Sequence, residues 1–193
     1  MPLDPALYYM APFTVADFAA SVTPAEKHAP SYSLSAVVFL SRCKLLKVEG
    51  VHASQFCLMG VWSLSSGTLA GATVVTLSKR QPRMSTMDLL FTFVAHRGIG
   101  VGKTLVEWAL QYAFELGSVY FRVASKFNSV EFYRKQGFRF WGFQKSGGSL
   151  SLFRFSPTSW RPQDAHYDIS DPFIHRNVFT KHVGGVVTFT GAI

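Results

Sequence analysis

Three glycines at alternate positions separate an apolar run from an amphipathic one, in Arg97-Gly98-Ile99-Gly100-Val101-Gly102-Lys103-Thr104-Leu105. Upstream, Thr86–Val94 carries Leu89, Leu90, Phe91, Phe93 and Val94 and reads as a strand. Downstream, Gly102–Leu116 repeats apolar residues at Leu105, Ala109, Tyr112 and Leu116, and at Val106, Leu110 and Ala113. That is helical spacing, and Gly117 supplies the stop. Strand, glycine turn and helix in this order restrict the chain to an α/β arrangement. Without Cβ atoms in the way, backbone N–H groups can converge on one point. The start of the helix adds its own unpaired N–H groups and a positive dipole end. Together these features make a phosphate site.

Two familiar phosphate motifs do not fit. Gly102-Lys103-Thr104 looks like the end of a Walker A turn, but that motif needs Gly where Arg97 stands. Counted from Gly98 the loop is one residue short, and no later apolar strand ends in Asp to hold Mg²⁺. A dinucleotide fingerprint would place its third Gly on Lys103.

Strands are expected at Gln55–Leu64, Leu69–Leu77, Ser118–Ala124, Phe138–Phe143 and Ser149–Phe155. Ser65-Ser66-Gly67-Thr68 and Gly147-Gly148 supply hairpin turns. Asn128–Gln136 reads as a short helix, capped by Asn128 with Glu131 in the reciprocal position and stopped by Gly137. The first 30 residues contain five prolines, leaving room for a short strand near Ala6–Met10 and a helix near Thr14–Ser21. A further helix is expected over 33–47. The predicted architecture is an α/β sandwich: a mixed, mostly antiparallel sheet flanked by helices, with one parallel pair beside the long helix. Residues 1–155 form the domain. Residues 156–193, punctuated by Pro157, Pro162 and Pro172, read as an extension ending in a lone strand, Val186–Thr190.

Composition sets further bounds. A hydrophobic share of 48% with 18 Phe excludes a disordered chain, a collagen-like chain and an isolated coiled coil. Two cysteines, Cys43 and Cys57, give neither a disulfide framework nor metal-ligand spacing, so no metal is expected. No apolar run reaches the roughly 18 residues of a membrane span. No signal peptide opens the chain, so a cytoplasmic location is expected, with the nucleus also open. Residues 97–145 hold eight Lys and Arg against three Glu, which accounts for five of the net charge of +8. An anionic ligand there and a solvated basic face are both consistent with that concentration.

Arg97-Gly98-x-Gly100-x-Gly102 resembles the acyl-CoA signature of the GCN5-related N-acetyltransferases (the GNAT superfamily), Arg/Gln-x-x-Gly-x-Gly/Ala. Phe132-Tyr133-Arg134-Lys135-Gln136-Gly137-Phe138 is similar to a second segment of that superfamily, one strand further on. The resemblance covers 84–155 and extends over 56–83. It implies a GNAT-like three-layer sandwich, acetyl-CoA as co-substrate, and transfer of acetyl to an amine acceptor, either protein or small molecule. It also implies that the strands on either side of the long helix splay to admit the coenzyme. Backbone groups near Phe93 and Val94 would pair with the pantetheine arm. The amides of Gly98, Gly100, Val101, Gly102 and Lys103 would carry the diphosphate, with Arg97 close by.

The resemblance also implies catalytic roles. A lysine-like amine has an ordinary pKa of about 10.4 and must lose a proton before it attacks. Asp88, alone among acidic residues between Glu49 and Glu107, matches the carboxylate that does this in histone-acetylating members, acting here through a water. A surface Asp at a strand edge is the alternative. Tyr133 would protonate the departing thiolate, with Phe132, about 100° round the helix, facing the core. A tight structural turn with Tyr133 as a core aromatic is the other reading. Asn128 is either a coenzyme contact or a helix cap, and His96 is expected to be an exposed loop residue. A different class stays open too: a non-catalytic module of the same fold that binds nucleic acid or a protein partner.

Overall fold

The computed structural model describes residues 3–23, 56–77, 84–143, 150–157, 179–183 and 186–190. The expected helix over 33–47 and the Gly147-Gly148 turn lie outside these residues. At the centre is a seven-stranded sheet of β1 (Tyr8–Pro12), β2 (Phe56–Ser63), β3 (Leu69–Leu77), β4 (Met84–Thr92), β5 (Tyr120–Ser125), β6 (Arg139–Phe143) and β7 (Leu150–Phe155). Its order is β1-β2-β3-β4-β5-β7-β6. Every neighbouring pair is antiparallel except β4 and β5, which the long helix α2 (Val101–Glu115) connects. The mixed sheet with one parallel pair is the arrangement expected from the sequence.

Helices cover both faces of this sheet. On one face, Val106, Ala109, Leu110 and Ala113 of α2 pack with Val75, Met87, Phe121, Val123, Leu150 and Leu152. A fully buried aliphatic side chain of this kind is worth about 1.5–3 kcal/mol. On the other face, Phe18 of α1 (Val15–Ala20) packs with Phe13, Ala72, Val74, Phe91 and Phe93. Its ring lies 5.3 Å from that of Phe91 and 5.4 Å from that of Phe93. Helix α1 is set by a capping box: Thr14 Oγ1 accepts from the Asp17 amide at 3.2 Å, and the Asp17 carboxylate accepts from the Thr14 amide at 2.7 Å.

Gly71 lets α2 seat closely on β3. A Cβ there would stand 2.6 Å from Val101 Cγ1 and 2.9 Å from the Phe91 carbonyl oxygen. The absence of a side chain therefore fixes how near the first turn of α2 comes to the sheet.

Three boundary expectations are corrected. Strand β4 ends at Thr92, not Val94, because Val94–His96 closes into a 3-10 turn in which the His96 amide donates to the Phe93 carbonyl at 2.9 Å. Asn128 does not cap the second helix. A 3-10 turn at Phe127–Ser129 comes first, and Ser129 stands at the cap of α3 (Val130–Arg134). Glu131 then falls one place short of the reciprocal position and instead takes both bonds of the Arg134 fork, at 2.7 and 2.8 Å. Gly137, at φ 77°, does stop this segment, with Phe138 N–H donating to the Tyr133 carbonyl at 3.2 Å. Val186–Thr190 is a strand but not a lone one: as β9 it pairs antiparallel with β8 (Phe179–Val183). Among the described residues no helix is long and apolar enough to cross a membrane.

Candidate functional site

The β4–β5 pairing is short. It runs from Met84 opposite Tyr120 to Met87 opposite Val123 and stops there. Beyond that point β4 pairs only with β3 and β5 only with β7. The two strands part in the middle of the sheet, as the resemblance implied. A cavity of about 520 Å³ opens along the free side of β4, lined by Leu90, Phe91, Thr92, His96, Arg97, Gly98, Gly100, Val101, Gly102, Lys103 and Phe132.

The glycine turn forms one end of this cavity. Gly98 has φ 81° and Gly100 has φ 102°, left-handed values that cost a residue with a Cβ about 1–2 kcal/mol. Gly100 is the N-cap of α2, and the first helical bond is Thr104 N–H to the Gly100 carbonyl at 3.0 Å. The amides of Val101, Gly102 and Lys103 precede that bond and have no acceptor inside the helix. Lys103 lies 3.5 Å from Glu107, one turn along. Gly102 keeps the wall thin, since a Cβ there would stand 3.3 Å from Thr92 Oγ1 and 3.5 Å from the Phe132 ring.

Six of the nine expected coenzyme residues line the cavity: Arg97, Gly98, Gly100, Val101, Gly102 and Lys103. Phe93, Val94 and Asn128 are not among the lining residues. The Phe93 amide donates to the Ala70 carbonyl at 3.0 Å, so its backbone faces β3. In an antiparallel pair, alternate residues turn their backbone groups to opposite sides. Leu90 and Thr92 therefore face the opening, and Arg97 Nε donates to the Thr92 carbonyl at 3.2 Å. The edge expected at Phe93 and Val94 is displaced by one residue. Asn128 is exposed, and its Oδ1 accepts from Ser129 Oγ at 3.2 Å.

The catalytic expectations divide. Asp88 is the extra residue of a bulge: Val74 faces Leu89 and Val75 faces Met87, leaving Asp88 with no partner position on β3. Its carboxylate accepts a hydrogen bond from the Thr76 hydroxyl. The bulge sits where β4 leaves β5, so this carboxylate stands at the point of separation. The expected orientation of Phe132 and Tyr133 is reversed. Phe132 lines the cavity, whereas Tyr133 joins the core under α2, its ring 5.0 Å from that of Phe132 and 5.5 Å from that of Phe138. Burial pushes the Tyr133 hydroxyl up to a pKa of about 12.

His96 is not a plain loop residue. It is half-buried in the cavity wall, its Nδ1 lies 3.1 Å from the Tyr8 hydroxyl, and its ring stands edge-on to the Tyr8 ring at 5.7 Å. Nothing in the local sequence announces this partner from β1. Leu90 and Thr92 could have been found from strand parity, had the β3 register been known. Among the described residues no group of His, Cys, Asp or Glu could hold a metal ion.

Sheet order, the parting of β4 from β5 and the glycine turn at the head of α2 define the class, an α/β sandwich of the N-acetyltransferase type. A sequence model described as "Acetyltransferase (GNAT) family" matches residues 25–138, and the chain belongs to that family. Solved structures agree on the fold. A GNAT-family acetyltransferase from Streptococcus pneumoniae is 14% identical with a TM-score of 0.59, over 77% of this chain and 98% of its own. A histone acetyltransferase HPA2-related protein from Corynebacterium glutamicum is 16% identical with a TM-score of 0.58, over 79% and 99%. The NatC complex, solved with Gag peptide and CoA, contains a chain 15% identical with a TM-score of 0.53, over 78% and 99%. No curated protein matches the chain.

Proposed function

We propose that the protein is an acyl-CoA-dependent N-acyltransferase, most simply one that moves acetyl from acetyl-CoA to an amine. The observation that carries this is the cavity between the parted strands, ending on the unpaired amides at the head of α2. Those amides, the helix dipole and the Arg97 and Lys103 cations suit a diphosphate, with no metal needed. The backbone of Leu90 and Thr92, on the side no strand covers, offers an edge to the amide groups of a pantetheine arm, with the Thr92 carbonyl shared with Arg97.

In this reading Asp88, through a water, takes the proton that the acceptor amine loses. The amine nitrogen forms a bond to the thioester carbon, and the C–S bond breaks. Tyr133 returns a proton to the thiolate. Burial raises the pKa of this hydroxyl to about 12, so it is protonated at neutral pH like any tyrosine but gives up its proton less readily than an exposed one. Phe132 closes the wall beside it.

A nucleic-acid or protein-binding module draws less support. Lys103 lies against Glu107 and Arg134 against Glu131, with Lys135 3.9 Å from Glu131, so part of the basic charge is answered within the helices. The test is calorimetric titration of acetyl-CoA into the pure protein, followed by thiol release across a panel of amines. Binding in the micromolar range with amine-dependent release is expected. No binding at millimolar coenzyme rejects the proposal.

A further inference from the structure

Arg122 has no function in the reading above, and its Nε is buried without a hydrogen-bond partner. It lies on β5 opposite Thr86, one residue before β4 and β5 separate. Phe121 and Val123 on either side enter the core beneath α2. Strand alternation therefore turns Arg122 to the opposite face of the sheet. Tyr120, two residues back, marks the same face, with its ring 5.4 Å from that of Phe153.

Asp88 shares that face. Val75 packs under α2, so its neighbour Thr76 points the other way, and the Thr76 hydroxyl holds the Asp88 carboxylate. Asp88 and Arg122 thus stand on neighbouring strands beside the opening, on the side away from α2. Strand spacing is about 4.8 Å and a two-residue step about 6.6 Å, so their backbones are roughly 8 Å apart.

Arg122 is half-buried, and its Nε is buried without a hydrogen-bond partner. Among the described residues no carboxylate forms an ion pair with it. A guanidinium keeps its charge at any working pH, and a buried donor left unmade carries its full desolvation penalty. Its planar fork fits the two oxygens of a carboxylate or a phosphate.

We infer that the acceptor is a small amine bearing an anionic oxygen group, which Arg122 binds while the amine is presented to Asp88. The inference rests on the acyltransferase reading and narrows its substrate class. An α-amino acid or a phosphorylated amine carries both groups. A polyamine, which would bring only positive charge to Arg122, is disfavoured.

The experiment measures thiol release at saturating acetyl-CoA with matched acceptors. Amino acids are compared with their amides, O-phosphoethanolamine with ethanolamine, and spermidine is included. The anionic member of a pair is expected to show kcat/KM at least about ten-fold higher, and the better pair tells carboxylate from phosphate. Arg122→Gln should remove that preference through KM, with acetyl-CoA affinity unchanged, and Arg122→Lys should restore part of it. The melting temperature of Arg122→Gln should not fall, since the buried donor removed has no partner, whereas a merely structural arginine would show a loss. Equal use of neutral and anionic partners, a preference that survives Arg122→Gln, or no turnover of any anionic amine overturns the inference. If acetyl-CoA still binds in those cases, the acyltransferase reading stands; if the wild type binds no coenzyme, both fall.

Discussion

The Tyr8 hydroxyl lies 3.1 Å from Nδ1 of His96, joining the edge strand β1 to the glycine turn 88 residues later. The bond adds to the hold on the turn from its own backbone, from Arg97 on the Thr92 carbonyl and from the packing of Ile99 and Val101. Tyr8→Phe keeps the ring contact and removes the bond, worth about 0.5–1.5 kcal/mol. Acetyl-CoA affinity should fall roughly two- to ten-fold, with the melting temperature little changed. Calorimetry checks this, and an unaltered affinity would show that the turn holds its shape without β1.

Gly100→Val combines two penalties. Its φ of 102° is unfavourable for a side chain, and valine's β-branching stands at the head of α2, where the diphosphate is proposed to sit. Coenzyme binding should be lost by more than about 100-fold while circular dichroism still reports a folded sheet. Full-strength binding by this variant would place the diphosphate elsewhere.

Gly71→Ala tests packing instead of binding. The new Cβ meets the Phe91 carbonyl at 2.9 Å, a backbone atom that cannot turn aside. A loss of about 1–3 kcal/mol is expected from chemical denaturation. Gly67→Ala is the comparison, since nothing lies within 4 Å of its Cβ and only its φ of 65° opposes the change.

Tyr133 makes folding sensitive to alkali. Its hydroxyl is raised from 10.0 to about 12 by burial, so above pH 10 the unfolded chain gives up a proton that the folded chain keeps. The folded state binds more protons in that window, and stability therefore falls as pH rises from 10 to 12. The fall amounts to roughly 2–3 kcal/mol, absent below pH 10 and complete above about pH 12. In Tyr133→Phe this component of the alkaline slope should vanish. The same variant should bind acetyl-CoA and turn over more slowly; wild-type turnover would remove Tyr133 from the proton path.

Asp88→Asn keeps the bulge and an acceptor for the Thr76 hydroxyl but removes the base. A loss of about 10²–10⁴ in kcat with coenzyme affinity retained is expected for a residue that takes the amine proton. A kcat within two-fold of wild type would return Asp88 to a structural role.

Local chemistry made much of this molecule legible before folding. The apolar run Leu69–Leu77 between turn residues gave β3 to the residue, and the helical spacing after Gly102 gave α2 to within one. Gly98, Gly100 and Gly102 marked the turn because backbone conformation and close amide approach are properties of those residues alone. What failed were statements that depend on a neighbour distant in the chain. The edge that faces the opening is Leu90 and Thr92, not Phe93 and Val94, because the bond from Phe93 to Ala70 sets the parity of β4. Phe132 and Tyr133 differ by about 100° on one helix, and only the sheet beneath decides which of them is covered. The Asp88 bulge arises from a register with β3, His96 is placed by Tyr8, and Arg122 is stranded by the parting of two strands. Short-range sterics and periodicity act within a few residues and are written in the chain. Register, facing and burial are settled when remote segments meet, and for this protein they determine which side chains reach the site.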